Sequence, residues 1–535
     1  MNNDRGESAV SRRELLLMIG RVAGSGALYQ AMSTLGLAAP SPYRGPVDLQ
    51  GAPPGASVVI LGAGLAGMTA AYELRNAGYR VQVLEYNARP GGRNWTLRGG
   101  DVYTELGGAT QRCQFDRDLY FNPGPWRIPY HHRAILGYCK RFGVALEAFV
   151  QVNYNAYLHG TRAFGGKPRR YREVRADYQG QIAELLAKAV SRDALDESVS
   201  KEDQERLLES LRDWGALDER YAYVAGMTSS ERRGFDKKPG GGLSGRPLAS
   251  RPATLHEVLT GGLWRAIATG DAYDMQTTLF QPVGGMGRIG EAFARELGAL
   301  IRYNCKVTEI RQDASGVSIA YEDARQPANR SMARAQWCVC TLPLSILAQL
   351  PMNVGPALSA AIASVPYASA VKVGLQFKRR FWEEDEAIYG GITYTDLPIT
   401  NISYPSTGYH GGKGVLLGGY IWGLDGMEFT AMAPEERVQR ALDYGSQIHP
   451  QYRKEFDNGV AVAWHRSPFT LGCFGVWSTE ARARHYDDLC ALDGRIVLAG
   501  EHASFLGGWQ EGAITSALDA ITRLHARAVH QGART

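Results

Sequence analysis

The sequence predicts an α/β fold made of more than one packed unit, and three observations lead to this prediction. The chain has 535 residues, more than one hydrophobic core usually organises, so two or three units are expected. A strand, a tight turn, a helix and a second strand follow one another over residues 57–85. A strand, a loop and a helix follow again over residues 495–530.

The first 39 residues have the form of a twin-arginine targeting signal. Ser11-Arg12-Arg13-Glu14-Leu15 precedes a modestly apolar stretch that ends in small residues at Leu37-Ala38-Ala39. Arg21 interrupts the stretch, and no later run of 18 apolar residues occurs, so no integral membrane segment is expected. We expect export to the periplasm or beyond, or a cytoplasmic protein if the signal does not function. Residues 40–55, rich in proline, read as a linker.

The first strand–turn–helix–strand unit has clear boundaries in the sequence. Predicted are a strand at 57–61, a turn at 62–67, a helix at 68–76 ended by Gly78, and a strand at 81–84 that leads to Glu85. Further along, residues 172–220 have helical spacing, and residues 228–252 read as an exposed loop. Strands return near Val307 and continue to Trp464.

The turn carries a glycine motif of the dinucleotide-binding type, Gly62-Ala63-Gly64-Leu65-Ala66-Gly67. Gly62 permits the turn, Gly64 lets a pyrophosphate approach the backbone, and Gly67 lets the helix pack on the strand. The amides and dipole of the helix N-terminus then favour phosphates. Glu85 stands at the end of the next strand, where its carboxylate can accept hydrogen bonds from ribose hydroxyls. The motif therefore predicts a dinucleotide site.

Composition and charge disfavour some classes of ligand and partner. The chain is 44% hydrophobic and 21% charged, as in an ordinary globular protein. Its net charge of +5 is small for its length and disfavours nucleic-acid binding, which usually needs a concentrated basic face. None of its seven cysteines forms a CxxC pair, so we expect mostly buried thiols and no metal site.

Four further motifs make the sequence resemble the flavin amine oxidase superfamily. They are Arg89-Pro90-Gly91-Gly92-Arg93, Glu105-Leu106-Gly107-Gly108, Pro282-Val283-Gly284-Gly285-Met286 and Ala499-Gly500-Glu501, in the superfamily's order. The resemblance implies FAD as cofactor, with the chemistry residing in the flavin. It places Gly92 and Arg93 along the phosphates, Gly107 and Gly108 beside the flavin ring, the Val307 backbone at the adenine, Glu501 at the ribityl chain or pyrophosphate, and Gly500, Trp464 and Ile514 among the cofactor contacts.

Two segments are similar to L-amino acid oxidases in particular: residues 124–143 and residues 367–398. The first carries Arg127 at the position that holds the substrate carboxylate, a role suited to the planar fork of arginine. Because residues 109–123 intervene before it, Arg112 is an alternative for this role. A third hypothesis is that this arginine has only a structural role, paired with a surface acid.

The same resemblance assigns the remaining substrate contacts. Lys372 falls on the lysine that holds a water near flavin N5, and Tyr420 on the tyrosine that joins the arginine on the carboxylate. Gly508 would offer its carbonyl to the amine, and Trp509 would close the pocket. Trp422 and Phe474 would surround the side chain, which favours bulky apolar or aromatic substrates without excluding a guanidinium. No histidine matches the family's mobile one.

The resemblance also implies a domain plan and a reaction. A Rossmann-like FAD-binding domain of the GR2 type would comprise residues 56–100, 272–345 and 490–530. A mixed-sheet substrate-binding domain would comprise 101–158 and 350–485, and a helical domain 160–270. The expected reaction converts an L-amino acid and dioxygen into a 2-oxo acid, ammonia and hydrogen peroxide, in a homodimer. An amide-forming monooxygenase, an oxidase of amines without a carboxylate, and a non-catalytic flavoprotein are the alternatives.

Overall fold

A six-stranded sheet forms the centre of this computed structural model, which describes residues 41, 43–192, 200–275 and 278–532. The predicted targeting signal lies outside the described residues. The predicted strands are present as Ser57–Leu61 and Arg80–Leu84, and the helix between them is Leu65–Asn76. That helix begins three residues earlier than predicted because Gly64 already caps it, and Met68 N–H donates to the Gly64 carbonyl at 2.9 Å. The third glycine of the motif is therefore helical.

The central sheet is parallel except at one edge. Its strands lie in the order Ile301–Arg302, Arg80–Leu84, Ser57–Leu61, Trp337–Cys340, Ile496–Leu498 and Leu492–Asp493, and only the last pair is antiparallel. The carboxyl ends of the inner strands therefore meet at one edge, where α/β sheets bind their ligands. Gly62, Glu85 and Thr341 follow directly after three of these strands.

Each face of the central sheet is covered by apolar packing. One face packs against the helices Leu65–Asn76, Arg133–Arg141, Gly287–Leu297 and Gln510–Gly532. The other face packs against an antiparallel three-stranded sheet, Cys305–Gln312, Val317–Asp323 and Gln326–Ala335, and the helices Leu344–Leu347, Pro356–Ala363 and Thr479–Cys490. Burial on both faces explains the uninterrupted apolar run of the first strand.

A second, mixed sheet of seven strands stands beside the first. Its order is Arg169–Arg170, Tyr157–His159, Ile392–Thr395, Asn401–Ser403, Gly414–Trp422, Ala370–Phe377 and Phe456–Ala463. Every residue of Ala370–Phe377 is buried, because the strand is internal and both of its faces are covered. The helices Phe381–Glu384, Gly423–Ala431, Pro434–Gly445 and Tyr452–Glu455 pack near this sheet.

The middle of the chain contains the helices Tyr171–Val190, Lys201–Gly215, Met227–Arg233, Leu255–Gly261 and Trp264–Ile267. The first two confirm the helical spacing of residues 172–220. The exposed loop predicted at residues 228–252 is wrong in part, because it includes most of helix Met227–Arg233, whose Ser229, Ser230 and Arg233 are buried. Smaller sheets join Ile128–Pro129, Leu279–Pro282 and Leu146–Phe149, then Leu97–Arg98 with Tyr120–Phe121, and Val102–Thr104 with Thr110–Arg112. Helix Arg133–Arg141, within the range predicted to bind substrate, shares the core of the parallel sheet. The domain boundaries themselves stay a prediction.

Two further sequence expectations can be compared with the fold. All seven cysteines are free thiols and five of them are buried, as expected. Among the described parts of the chain, none of the helices combines the length and apolar character needed to cross a membrane.

Candidate active site

A cavity of about 1500 Å³ opens at the carboxyl edge of the parallel sheet and reaches the seven-stranded sheet. Most residues that the sequence predicted for cofactor and substrate line it together. They are Gly62, Gly64, Ala66, Glu85, Gly92, Arg93, Arg127, Lys372, Tyr420, Trp422, Trp464, Phe474, Gly500, Glu501, Gly508 and Trp509. One continuous space thus joins the glycine motif to the predicted carboxylate site.

The glycine motif forms a cradle at one end of the cavity. Gly62 has φ +98°, a left-handed conformation that favours glycine, and turns the chain out of the first strand. A Cβ on Gly67 would collide with the Gly62 carbonyl, so only glycine lets the helix begin here. A Cβ on Gly64 would meet no protein atom within 4 Å, because this residue faces the cavity. The open backbone and the helix N-terminus behind it fit a bound pyrophosphate.

Glu85 shapes the rim of this cradle. One carboxylate oxygen accepts the Ala63 N–H at 2.6 Å, and the other accepts both the backbone N–H and the side-chain amide of Asn87 at 2.7 Å. The carboxylate is buried yet lies on the cavity wall, so these bonds fix its position towards a ligand. This arrangement fits the predicted ribose contact.

Arg93 and Glu501 form a partly buried link between the cofactor end and the substrate end. Their side chains pair at 2.8 Å, and Arg93 also donates to the Cys473 carbonyl at 2.6 Å. The Glu501 carboxylate accepts the N–H groups of Gly475 and Gly508, each at 3.1 Å. Glu501 therefore positions the loops on both sides of the substrate end, in addition to its predicted place at the cofactor.

Five residues that the sequence predicted as cofactor contacts do not line the cavity, and their cofactor roles stay predictions. Gly67 acts behind the cradle, and the side chain of Ile514 is buried in the core with helix Gln510–Gly532. Val307 is buried in the core of the three-stranded sheet, beside a bulge. Gly107 and Gly108 lie in an exposed turn, which Leu106 ties to Arg466 through a backbone bond of 2.8 Å.

Arg127 lines the end of the cavity that is predicted to bind the substrate carboxylate, and Arg112 does not line the cavity. Arg127 is 5% exposed, and its guanidinium lies 5.2 Å from the ring centre of Trp126 and 5.6 Å from that of Trp509. Its Nη2 approaches Met275 Sδ at 3.0 Å. Arg112 lies on an exposed strand and donates to the Gly100 carbonyl at 3.2 Å. Residues 109–123 leave Arg127 on the cavity wall: strand Thr110–Arg112 lies at the surface, whereas Cys113, Phe115 and Phe121 are buried in a neighbouring core.

Lys372 is a buried lysine in the middle of the cavity wall. It is 1% exposed, and its Nζ donates to the Gly124 carbonyl. Its Nζ lies 4.1 Å from the ring centre of Trp126 and 4.2 Å from that of Tyr420. Burial lowers the pKa of Lys372 well below its usual value, and the charge of Arg127 lowers it further, whereas the two aromatic faces favour the charged form.

Aromatic rings form the remaining wall of this end. The rings of Tyr420 and Trp422 lie 4.2 Å apart, and those of Trp422 and Phe474 lie 5.7 Å apart. Trp464 is 1% exposed and is fixed by a bond of 2.9 Å from its indole N–H to the Pro123 carbonyl. The wall therefore suits a flat or bulky apolar group.

The sequence analysis assigned no role to several residues that lie beside this site. Trp126 belongs to the segment that carries Arg127, but its contact with Lys372 depends on the fold. His131, His132 and Asp274 form a buried cluster behind Arg127 and Trp509. The neighbouring histidines were visible in the sequence. The approach of Asp274 could not be predicted, because it lies on a distant turn after the helical segment.

A dinucleotide cradle joined to a buried cationic and aromatic pocket defines a nucleotide-cofactor oxidoreductase. The chain belongs to the flavin containing amine oxidoreductase family, whose model matches residues 65–525. It is therefore an FAD-dependent enzyme that oxidises amines. This bears out the predicted superfamily, cofactor and fold class.

Named relatives and solved structures agree with this family. An L-amino-acid oxidase of Siganus canaliculatus is 29% identical over 484 residues, covering 88% of this chain and 85% of that protein. One of Vipera ammodytes ammodytes is 27% identical, covering 86% and 91%. Cyclohexylamine oxidase from Brevibacterium oxydans IH-35A shares the fold with a TM-score of 0.57 at 17% identity, over 89% of this chain and 99% of that one. A putrescine oxidase mutant gives the same TM-score, over 89% and 100%.

Proposed function

We propose that this enzyme oxidises L-amino acids with bulky apolar or aromatic side chains to 2-oxo acids, with release of ammonia and hydrogen peroxide. The observation that carries the proposal is the buried Arg127 at an aromatic end of the cavity. A buried guanidinium attracts a carboxylate strongly, and it repels the cation that a simple amine forms in water. An amino acid supplies the carboxylate that such a pocket needs.

The protein's part in the reaction is to hold and orient the substrate. Arg127 and Tyr420 would bind the carboxylate, and the Gly508 carbonyl would accept a hydrogen bond from the amine. Trp422 and Phe474 would hold the side chain, and Lys372 would hold a water that can hydrolyse the imino acid. Bound FAD supplies the acceptor for the Cα hydride at N5 and the site at which dioxygen is reduced.

A panel of the L-amino acids and plain amines, with peroxide and organic products both measured, tests this proposal. We expect peroxide and 2-oxo acid in equal amounts, from amino acids only. An amide with loss of carbon dioxide and no peroxide would instead identify a monooxygenase. Peroxide from plain amines alone would show that Arg127 has another role.

We also propose export by the twin-arginine-type signal at residues 1–39 and assembly as a homodimer. The mature enzyme should then be found outside the cytoplasm of the producing cells. The double substitution Arg12→Lys and Arg13→Lys should keep it in the cytoplasm. Sedimentation of the purified holoenzyme measures the assembly, and a monomer at all concentrations would contradict the dimer.

A further inference from the structure

A buried cluster of three titratable side chains lies behind the carboxylate end of the cavity. His131 and His132 precede helix Arg133–Arg141, and Asp274 belongs to the short turn Tyr273–Met275. The Asp274 carboxylate lies 2.9 Å from His131 Nε2 and 3.9 Å from His132 Nε2. All three side chains are at most 5% exposed. A buried carboxylate needs a compensating partner, and His131 and His132 are the nearest candidates.

The cluster is in contact with the residues that would bind the substrate carboxylate. Met275, next to Asp274, meets the Arg127 guanidinium at 3.0 Å. The His132 ring stands edge-on to Trp509, 5.1 Å between centres. Any change of charge in the cluster is therefore felt at Arg127 across a water-poor region, where electrostatic interactions are strong.

Charged groups from several elements face the cluster. Asp274 faces His131, His132 and Arg127, and His131 also faces Glu511. Burial raises the pKa of Asp274, while the hydrogen bond from His131 and the charge of Arg127 oppose that rise. Burial lowers the pKa of His132 to about 3, and neither of its ring nitrogens has a hydrogen-bond partner among the described residues. His132 is therefore neutral at physiological pH.

We propose that the Asp274–His131 pair is the counter-charge of Arg127 before substrate binds, and that it takes up one proton from solvent when a carboxylate reaches Arg127. This inference rests on the proposed function, because it requires a carboxylate at Arg127. Without the proton, two carboxylates would face a single guanidinium in a buried region, which is costly. With the proton, the pair changes from one negative charge to none, and the substrate carboxylate alone balances Arg127.

Calorimetric titration of the holoenzyme with 3-phenylpropanoate tests this proposal. This probe has a carboxylate and an aromatic ring but no amine, so its own ionisation does not contribute near neutral pH. Titrations in PIPES and in Tris, which differ in ionisation enthalpy, give the number of protons exchanged. We expect uptake of about one proton, with a Kd that rises up to about tenfold per pH unit. No uptake by the wild-type enzyme would overturn the proposal, whatever the variants do.

Three variants locate the proton. Asp274→Asn should abolish uptake and bind the probe at least as tightly, because the competing charge is gone; a purely structural role would weaken binding instead. Glu386→Gln is the matched control, since Glu386 lies 3.0 Å from His449 in a likewise buried pair that does not line the cavity, and uptake should persist. Lys372→Met should also keep the uptake, and its loss there but not in Asp274→Asn would overturn the proposal by assigning the proton to Lys372.

A fourth variant distinguishes a failure of the proposed function from a failure of the role proposed for Asp274. Arg127→Ala should abolish binding of 3-phenylpropanoate, and binding that survives this change would contradict the proposed function itself. Binding that depends on Arg127 without proton uptake would contradict only the role of Asp274. Stoichiometric metal in the purified holoenzyme, held by His131, His132 and Asp274, would also overturn that role.

Discussion

The two ends of the cavity are built in different ways. The cofactor end is mainly backbone: one glycine motif within six residues forms the turn, the helix N-terminus and the open surface for a pyrophosphate. The substrate end is made of side chains from distant segments, with Arg127, Lys372, Tyr420 and Trp509 carried by four of them. The difference teaches that cofactor binding depends on local conformation, whereas substrate choice depends on how the sheets are placed.

The largest effect is expected from removing the cation at the substrate end. Arg127→Ala should lower kcat/KM for L-phenylalanine by about 2–5 kcal/mol in transition-state binding, or roughly thirtyfold to several thousandfold. The flavin absorbance should stay normal, because Arg127 lies away from the cradle. Arg112→Ala is the matched control and should leave the kinetics unchanged; equal losses in both would mean that neither binds the carboxylate directly.

A smaller effect is expected from opening the aromatic wall. Trp422→Ala or Phe474→Ala should lower kcat/KM for L-phenylalanine by about 1–3 kcal/mol, roughly 5- to 150-fold, with a smaller loss for L-alanine. The half-exposed Trp214 offers a control far from the cavity wall, and Trp214→Ala should change neither substrate. A uniform loss for both amino acids would contradict a role in side-chain recognition.

A defect of cofactor binding without a defect of folding is expected at Gly64. Gly64→Ala adds a methyl group that meets no protein atom within 4 Å but enters the space assigned to the pyrophosphate. FAD affinity should fall by roughly 10–100-fold, while the apoprotein melts as before. Gly412→Ala, where a Cβ also meets nothing, controls for the substitution. Unchanged FAD affinity in Gly64→Ala would contradict the placement of the pyrophosphate.

The smallest effect concerns stability and pH at Lys372. Its pKa is lowered in the folded state by burial, so the unfolded chain binds more protons between that pKa and the usual value of 10.5. The free energy of unfolding of the wild type, relative to Lys372→Met, should therefore rise as pH increases through this window. Urea titrations of both proteins measure it. A difference that falls with pH would mean that the aromatic faces keep Lys372 charged.

The sequence predicted the cofactor end more fully than the substrate end, for physical reasons. The glycine spacing and the buried strand determine the turn and helix locally, and only the starts of the helix and of the second strand differed. Gly107 and Gly108, placed beside the flavin by resemblance, lie in an exposed turn, and their cofactor contact stays a prediction. The contacts of Lys372 with Trp126 and of His131 with Asp274 join residues far apart in the chain. No local pattern could predict them.

The most direct test of the central claim compares L-phenylalanine with 2-phenylethylamine, which has the same side chain and amine but no carboxylate. Initial rates of peroxide release by the wild-type holoenzyme and by Arg127→Ala would be measured for both. The account predicts fast oxidation of the amino acid, little of the amine, and loss of that preference in the variant. Equal or faster oxidation of the amine by the wild-type enzyme would contradict a carboxylate-binding role for Arg127.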